Sequence, residues 1–454
     1  MEADQEADAG LTVRWGITPN TALLGTINPD FSQVEADVAQ LNINQLFALF
    51  FEERRPFFQE GIDFFSTPIN AVHTRTVRDP DWGIKLTGKE KRNALGVFVA
   101  EDAVNGFLIP SNQGTESMFL EEPVTNGVFR YRRDVGSTST LGVLYTGREG
   151  DDYHNRVGGL DGFLRVTEKD TIEFQYLRSD TLYPEEVAME FDQELDSFSG
   201  YAFQIEYSHD QTNWYWELEY RDRAPDFRLD SGFVPRVDFR ELAGVLFHRF
   251  WGDDESWYDR WDVGAFAERV EDHEGQLTDE ELGIFGRFWG PLQTLTELTI
   301  MEEKEYFDGV LYENLLNTEL YVETQPSGAV KLTFWGRSGD SIDFSNNQPA
   351  DELLLNPAIE ANLSQLRLVY NFNVRVFVRA IVQNLDITRY PALFSFEVEP
   401  KTQQLFTQLL FSYQLNPRTV LFAGYSDNQL GLQDVSLTRT DRTFFFKIGY
   451  AWIL

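Results

Sequence analysis

Apolar and polar residues alternate with a period of two along most of the chain. In residues 201–207 every odd position is large and apolar, and every even position is small or polar. Residues 214–220 repeat this pattern, and residues 374–380 place two arginines on the polar side. Strands with one apolar and one polar face produce this period. The sequence therefore predicts an all-β protein.

Short turns and longer polar connections separate these strands. The longer connections are predicted at residues 103–124, 181–199, 223–237, 339–357, 387–400 and 427–438. Tight turns at one rim and long loops at the other are typical of an antiparallel up-and-down barrel. The pattern predicts about 22 strands, with an even number from 16 to 22 expected. Many segments are long enough to cross a bilayer at a tilt, so we expect a transmembrane antiparallel up-and-down β-barrel.

Soluble β folds are the alternatives to a membrane barrel. A β-propeller would show a recurring motif every 40–50 residues or so, and the chain has none. Strands of soluble proteins average about 5–6 residues, shorter than many segments here. A β-sandwich also alternates, so the pattern favours the membrane barrel without excluding a sandwich.

Composition supports a polar interior and an apolar exterior. The 454 residues include 38 Lys and Arg against 74 Asp and Glu, a net charge of −36, together with 10 Trp, 18 Tyr and 38 Phe. This charge disfavours binding to nucleic acid, which requires basic residues. The absence of cysteine excludes disulfides and thiolate metal sites. Alternation assigns the aromatic side chains to the lipid side and the charges to the lumen and loops.

The end of the sequence carries a pattern of its own. Counting back by twos gives six apolar residues on one face: Leu454, Trp452, Tyr450, Ile448, Phe446 and Phe444. The pattern resembles the terminal-strand signal of bacterial outer-membrane proteins, and its four places are filled by Lys447, Gly449, Trp452 and Leu454. The last place is most often Phe, and here it is Leu. The resemblance implies recognition by the barrel-assembly machinery; the alternative is a buried final strand of a soluble sheet.

We therefore expect the bacterial outer membrane as the location. The N-terminal residues have neither a basic region nor an apolar core, so they are not a signal peptide, and a removed secretion signal is expected. Residues 1–10 are predicted to be an N-terminal tail, and residues 11–454 the barrel.

Residues 28–70 interrupt the alternation. Two arginines lie among phenylalanines and glutamates, which predicts a compact, ion-paired element, and Gln45 to Glu53 could form a short helix that ends before Pro56. We expect a lumenal or periplasmic insert that acts as a plug or constriction; a purely architectural brace is the alternative. The predicted constriction residues are Glu52, Glu53, Arg54, Arg55, Phe57, Phe58 and Glu60.

Two motifs in this region resemble a known family. They are residues 28–37, reading NPDFSQVEAD, and residues 53–61, reading ERRPFFQEG; residues 78–89 are similar to the same family. The resemblance is to an uncharacterised bacterial family whose members carry a carbohydrate-binding-module-9-like domain followed by a C-terminal domain of unknown function. It implies an outer-membrane barrel corresponding to that C-terminal domain, and it supplies no catalytic residues.

Sequence motifs for catalysis or cofactor binding are few. The five histidines form no HExxH or His-x-His pair, no glycine-rich phosphate loop is present, and no metal or cofactor is predicted. Outer-membrane hydrolases use residues at loop tips, so His154 beside Asp151 and Asp152, and His273 beside Glu271 and Asp272, keep a hydrolase open as an alternative. The acidic loops are interpreted as a solvated surface suited to a saline environment or to divalent ions that bridge lipopolysaccharide.

The lumen is the better candidate for function. Alternation turns eleven charged residues inward: Arg130, Arg132, Glu173, Glu206, Glu217, Glu219, Lys331, Arg367, Arg375, Arg379 and Lys447. Acids from the middle strands and bases from the late strands would create a transverse field; alternatively, the same groups pair and close the lumen.

The sequence predicts a channel or gated pore for small polar solutes or for export, with lipid and lipopolysaccharide as surroundings. The alternative of a different class is a scaffold that anchors or exports a protein partner at the periplasmic or cell-surface rim.

Overall fold

A computed structural model describes residues 10–28, 46–53, 55–327, 330–344, 346–361, 365–373, 375–388, 401–416, 419–432 and 435–453. These residues contain 24 strands and two short α-helices. The strands are β1 (Leu11–Thr18), β2 (Thr21–Ile27), β3 (Pro80–Glu90), β4 (Asn93–Asp102), β5 (Asn105–Pro110), β6 (Thr115–Leu120), β7 (Val124–Val135), β8 (Ser139–Gly150), β9 (Tyr153–Arg165), β10 (Asp170–Leu182), β11 (Phe198–Asp210), β12 (Trp214–Arg223), β13 (Phe239–Trp251), β14 (Arg260–Glu271), β15 (Leu277–Gly290), β16 (Thr294–Phe307), β17 (Val310–Ser327), β18 (Val330–Asp343), β19 (Gln348–Ala361), β20 (Gln365–Asn373), β21 (Val376–Thr388), β22 (Lys401–Asn416), β23 (Thr419–Leu432) and β24 (Val435–Ile453). The helices are α1 (Pro56–Gln59) and α2 (Glu185–Glu190).

One sheet of 22 strands makes up most of the molecule, and β5 and β6 form a separate hairpin. Each strand of the main sheet pairs antiparallel with its neighbour in sequence from β1 to β4, from β7 to β19 and from β20 to β24, and β4 pairs with β7. The prediction of an all-β, antiparallel fold is confirmed, and the main sheet has the number of strands estimated from the alternation.

The first and last strands of the chain, β1 and β24, are neighbours in the sheet. Among the described residues β19 and β20 do not pair, so this contact joins the strands up to β19 to β20–β24. Residues Val13 to Gly16 of β1 pair with Tyr450 to Ile453 of β24, and this contact is parallel. An up-and-down ring with an even number of strands would pair them antiparallel. The direction of this contact therefore differs from the one that the predicted strand number requires.

The two faces of the sheet have opposite character, as the alternation predicts. One face exposes large apolar side chains on successive strands, among them Leu160, Leu218, Leu246, Ile284 and Leu320. The other face carries the charged residues of the middle strands and the apolar residues that contact the segment between β2 and β3. We call the first face the apolar face and the second the inner face.

Four long connections lie at one end of the sheet, which we call the insert end. They are residues 28–79, 103–123, 183–197 and 224–238, whereas the remaining connections at this end, as far as the described residues go, are short. The first and last of them pack on the inner face of β2, β4 and β7–β11, and this packing forms the main apolar core. The second and third form a smaller core around Phe107, Tyr153 and Tyr183.

A buried polar cluster joins these connections to the strands. The Asp230 carboxylate accepts hydrogen bonds from the hydroxyls of Tyr153 at 2.6 Å and Tyr183 at 3.2 Å. The Arg148 guanidinium, fully buried, donates to the main-chain oxygens of Asp230 and Gly106 at 2.9 Å each. The pKa of Asp230 is raised above its usual value, because the effect of burial exceeds the opposing effects of the Arg148 charge and the tyrosine hydrogen bonds. This cluster fixes residues 224–238 and the β5–β6 hairpin to the main sheet, which is called the wall below.

Three predictions about local structure are wrong. Residues 339–357 are mostly strand, because β18 and β19 form a ladder up to the pair Asp343–Gln348. Residues 427–438 likewise belong mostly to β23 and β24. Residues 46–53 are not helical; the helix begins instead at Pro56, whose fixed φ and missing N–H suit the first turn of a helix. Within the described residues, neither helix is long and apolar enough to cross a membrane.

Candidate functional site

The described residues between β2 and β3, 46–53 and 55–79, pack on the inner face of the sheet and are called the insert below. Helix α1 places Phe57 and Phe58 in the main core, where their rings meet edge to face at 5.1 Å. Phe58 also packs against Phe98 of β4 at 5.6 Å between ring centroids. These aromatic contacts bury apolar surface between the insert and the wall, which is the main stabilising contribution expected there.

Ion pairing holds the insert in one conformation. The Arg55 guanidinium donates to both carboxylate oxygens of Glu53, at 2.8 and 2.6 Å, and to the main-chain oxygens of Thr74 and Val77, both at 2.7 Å. The Thr74 hydroxyl donates to the same Glu53 carboxylate. Burial would raise the pKa of Glu53, but the hydrogen bonds and charge of Arg55 outweigh burial and hold it below its usual value. The start and end of the insert are thereby tied together.

Three inward side chains of the wall bind the insert backbone. Lys85 of β3 donates to the main-chain oxygens of Phe57, Phe58 and Glu60, which satisfies carbonyls at the end of α1. The Gln175 side chain of β10 accepts a hydrogen bond from the Ile69 N–H at 2.6 Å.

The third side chain is Asp102 of β4, the strand next to β3, which accepts from the N–H groups of Arg78 and Asp79 at 2.6 and 2.7 Å. Hydrogen bonds therefore join the insert to β3 and β4 and, several strands away, to β10.

His73 lies where the insert meets residues 224–238. Its main-chain N–H donates to the Ser231 main-chain oxygen at 2.8 Å, and its imidazole ring packs against Phe50 and Phe233. Burial lowers the pKa of His73 to about 4; the Glu53 charge acts against this shift, and Arg75 and Arg55 add to it. The neutral imidazole is thus the form that fits this contact.

A recess of about 450 Å³ opens where the insert ends against β7–β10. Three of the predicted lumen residues, Arg130, Arg132 and Glu173, line it, together with Asp161. Arg130 and Asp161 form an ion pair at 2.6 Å, and both side chains are buried. Residues 66–68 of the insert also line it, and they are called the rim residues below. The recess is the place where the predicted insert and the predicted lumen charges come together.

Beyond the recess, carboxylates face one another directly across the inner face. Glu173 lies opposite Glu206, and Glu206 opposite Glu219. A second run places Glu281 opposite both Glu268 and Glu303. Like charges in directly opposed positions destabilise a sheet. We call this surface the acidic wall.

A few arginines offset this repulsion. Arg221 contacts Glu219 and Glu241 at 2.5 and 3.0 Å, and Arg337 contacts Glu303 at 2.7 Å. The inward carboxylates outnumber these arginines, so the middle strands present a negative surface.

The remaining predicted residues lie farther away. The Glu217 carboxylate accepts from the Tyr215 hydroxyl, Lys331 pairs with Glu323 at 3.0 Å, and buried Arg379 donates to Gln408 at 3.3 Å. Arg375 lies exposed in the turn between β20 and β21.

Several predicted positions fall partly or wholly outside the described residues. Arg54 and Leu454 lie outside them. Arg367, Lys447, Gly449 and Trp452 belong to β20 and β24 by their backbones, and the side chains of Arg367, Lys447 and Trp452 lie outside the description. The described constriction residues divide by burial: Phe57 and Phe58 are buried, Glu52 is exposed, and Glu60 pairs with Arg14 at 2.5 Å.

The histidine positions weighed for hydrolysis both lie next to aspartates. His154 Nε2 is 3.4 Å from Asp180, and His273 lies between Asp222 and Asp238, at 3.0 and 2.9 Å. Within the part of the chain that the structure describes, no three His, Asp or Glu side chains form a group that could hold a metal ion.

Sequence reasoning missed Asp161, Gln175 and Lys85. Asp161 lies among four glycine and leucine residues at 158–162, where alternation is weak. Its inward position could have been read from apolar Leu160 directly before it, because successive residues of a strand point to opposite faces. Lys85 and Gln175 bind backbone atoms of a segment distant in sequence, and no local pattern announces such a contact.

Comparisons with known proteins add a family match and two structures. The family described as "Domain of unknown function (DUF5916)" matches residues 1–77, a stretch that includes the motifs at residues 28–37 and 53–61. A search of curated proteins found no match. The FrpB iron transporter from Neisseria meningitidis (F3-3 variant) has 10% identity and a TM-score of 0.41, over 97% of this chain and 78% of that one.

The second structure is BauA, the ferric preacinetobactin receptor from Acinetobacter baumannii. It has 9% identity and a TM-score of 0.34, over 99% of this chain and 80% of that one. At TM-scores this low, neither similarity bears on function.

Proposed function

We propose that this chain forms a closed β-barrel in the bacterial outer membrane and that its lumen, narrowed by the insert, admits small polar solutes. The observation that carries the proposal is the opposite character of the two faces of one 22-stranded sheet. Contiguous apolar surface of this extent is unusual in contact with water and is usual in contact with lipid. A polar inner face suits a solvated lumen.

Strand lengths and aromatic positions support the same arrangement. Strands β7–β16 each contain 10–14 residues, and about 9–11 tilted residues cross a bilayer. Three exposed tryptophans, Trp214, Trp257 and Trp261, lie at the end of β12–β14 opposite the insert end. Tryptophan is enriched where a barrel meets the lipid headgroups, so this set fits an interfacial girdle.

The lumen has a filled half and an open half. The insert covers the inner face of β2, β4 and β7–β11, whereas the part of the acidic wall on β12–β17 has no such cover among the described residues. A passage along the acidic wall would favour cations over anions, because fixed charges of one sign raise the local concentration of counter-ions. The surroundings of the barrel would be lipid and lipopolysaccharide, and its assembly would use the C-terminal signal.

Conductance in planar bilayers tests this proposal. The purified wild-type protein is expected to give discrete channels with a preference for cations. A variant that lacks residues 30–65 is expected to give a larger conductance, because the part of the insert that carries α1 no longer fills the lumen. Circular dichroism and heat-dependent migration in detergent gels check that both proteins are folded barrels. Folded barrels that conduct in neither form would exclude the channel and favour the scaffold alternative.

A further inference from the structure

The recess between the insert and β7–β10 holds two charged groups of opposite sign that other residues leave unpaired. Arg132 and Glu173 both line it, and within the described residues neither side chain has a hydrogen bond or ion pair. A free cation and a free carboxylate that share one recess without meeting each other leave both charges available to a ligand.

The neighbouring buried pair is also incomplete. Arg130 and Asp161 are 2% and 7% exposed, and one Asp161 oxygen and the Arg130 Nε have no hydrogen-bond partner within the described part of the chain. Buried polar atoms are normally satisfied, and each one that is not requires an explanation. The unpaired Asp161 oxygen belongs to a residue that lines the recess, where a donor group of a ligand would satisfy it.

Strand order separates the charges along the floor of the recess. Arg132 of β7 and Asp161 of β9 both lie opposite Gly142 of β8, so their backbones are two strand spacings apart, about 10 Å. Glu173 lies on β10, one strand further. The positive side of the recess is therefore on β7, and the negative side is on β9 and β10.

A glycine makes this arrangement possible. A Cβ atom at Gly142 would lie 2.2 Å from Arg130 Nη1, so the guanidinium reaches Asp161 across the backbone of β8 only because residue 142 has no side chain. The charge of Arg130 is thus neutralised by Asp161, whereas the charge of Arg132 remains available to a ligand in the recess.

We propose that this recess binds a small zwitterion, whose carboxylate contacts Arg132 and whose ammonium group contacts Glu173 and the free oxygen of Asp161. An amino acid and a short peptide share this chemistry. The assignment rests on the proposed solute channel, and it makes the recess the point at which solutes are selected. The rim residues 66–68 place the insert at that point.

Calorimetric titration of the purified, detergent-solubilised wild-type protein with glycylglycine tests the assignment, with acetate and ethylammonium as half-ligands. Glycylglycine is expected to bind at least about tenfold more tightly than either half-ligand. Arg132→Gln and Glu173→Gln are each expected to weaken glycylglycine binding by about tenfold, the size of one charge-assisted hydrogen bond. The matched controls are Arg133→Gln, at the exposed neighbouring position, and Glu168→Gln, in the exposed turn before β10, and both should bind as wild type does.

Binding that is no tighter than that of a half-ligand, or an equal loss in the control variants, overturns the assignment. Arabinose efflux from liposomes containing the wild-type protein is measured in parallel. Efflux without glycylglycine binding overturns the recess assignment and leaves the channel standing. Glycylglycine binding without efflux of arabinose supports the recess and overturns the channel.

Discussion

The two halves of the inner face obey the same alternation and carry different residues. Under the insert, the inward positions include Phe98, Val128, Leu144 and Leu177, all buried. Across the acidic wall, the equivalent positions carry glutamates that face one another. The inward residue at each position therefore matches what covers it, and a polar inner face is not a general property of this sheet. The insert and the wall beneath it form one hydrophobic core inside a mostly polar interior.

Removing the ring of Phe58 should destabilise the insert and the wall beneath it more than any other change considered. Phe58→Ala deletes a side chain that contacts Phe57, Phe98 and the Arg55 guanidinium, and such a loss costs about 3–5 kcal/mol in a well-packed core. We expect residues 46–79 to lose protection in hydrogen–deuterium exchange while the strands keep theirs. Glu52→Ala, at an exposed position in the same segment, is the control. Unchanged protection in Phe58→Ala would show that the insert is held by its polar contacts alone.

A fall in pH should destabilise the packing of the insert as well, by less than Phe58→Ala does. The pKa of His73 falls from its usual 6.5 to about 4 in the folded protein, so the unfolded form binds the proton more tightly. Stability from the neutral imidazole is fully present above pH 6.5 and is lost as the pH falls towards 4, a change of about 2–3 kcal/mol. The pKa of Glu53 is also lowered, so its stabilisation is lost only below about pH 4.5, the usual range of a glutamate.

Exchange protection of residues 46–79 at pH 7.5, 6.0 and 5.0 measures this change above the Glu53 range. His73→Phe keeps the ring contacts and should be insensitive to pH across this interval. A variant that loosens with acid as the wild type does would remove His73 as the cause.

Removing a charge from the acidic wall should raise the stability of the protein, and this effect should be the smallest of the three. Glu281→Gln removes a charge that faces Glu268 and Glu303 across two ladders, so it relieves repulsion of about 0.2–1 kcal/mol. We expect a higher thermal midpoint and a weaker preference for cations in bilayers. Glu255→Gln changes the same residue type in the exposed connection between β13 and β14 and is the matched control. A lower midpoint for Glu281→Gln would mean that the carboxylates are paired with cations and stabilise the wall.

The alternation was sufficient to predict the strands, because period two survives wherever one face meets an apolar environment and the other a polar one. It failed at residues 339–357, where Asp340, Asp343 and Asn347 place polar groups on strands and at their turn. Such strand ends resemble loops, since only their ladder partners hold them extended. Arg439 and Asp427, which pair between β24 and β23, show the same situation.

The candidate site could be predicted only in part, for a related reason. The inward direction of Arg130, Arg132 and Glu173 follows from local pattern. Their meeting with residues 66–68 depends on how a distant segment folds back over the wall, and a single sequence does not encode that contact locally. Asp161 was missed because glycines surround it.

The contacts of the insert also constrain the order in which the chain can fold. Ile69 bonds to Gln175, 106 residues later, and His73 bonds to Ser231, which is later still. The insert therefore cannot reach its final position until β10 and the connection after β12 exist and have been brought close. Until then Phe57 and Phe58 remain uncovered, which is the state in which chains with long-range contacts aggregate. Packing of the insert is thus a late folding step. A chain arrested before this step would expose apolar side chains and would need a chaperone to prevent aggregation.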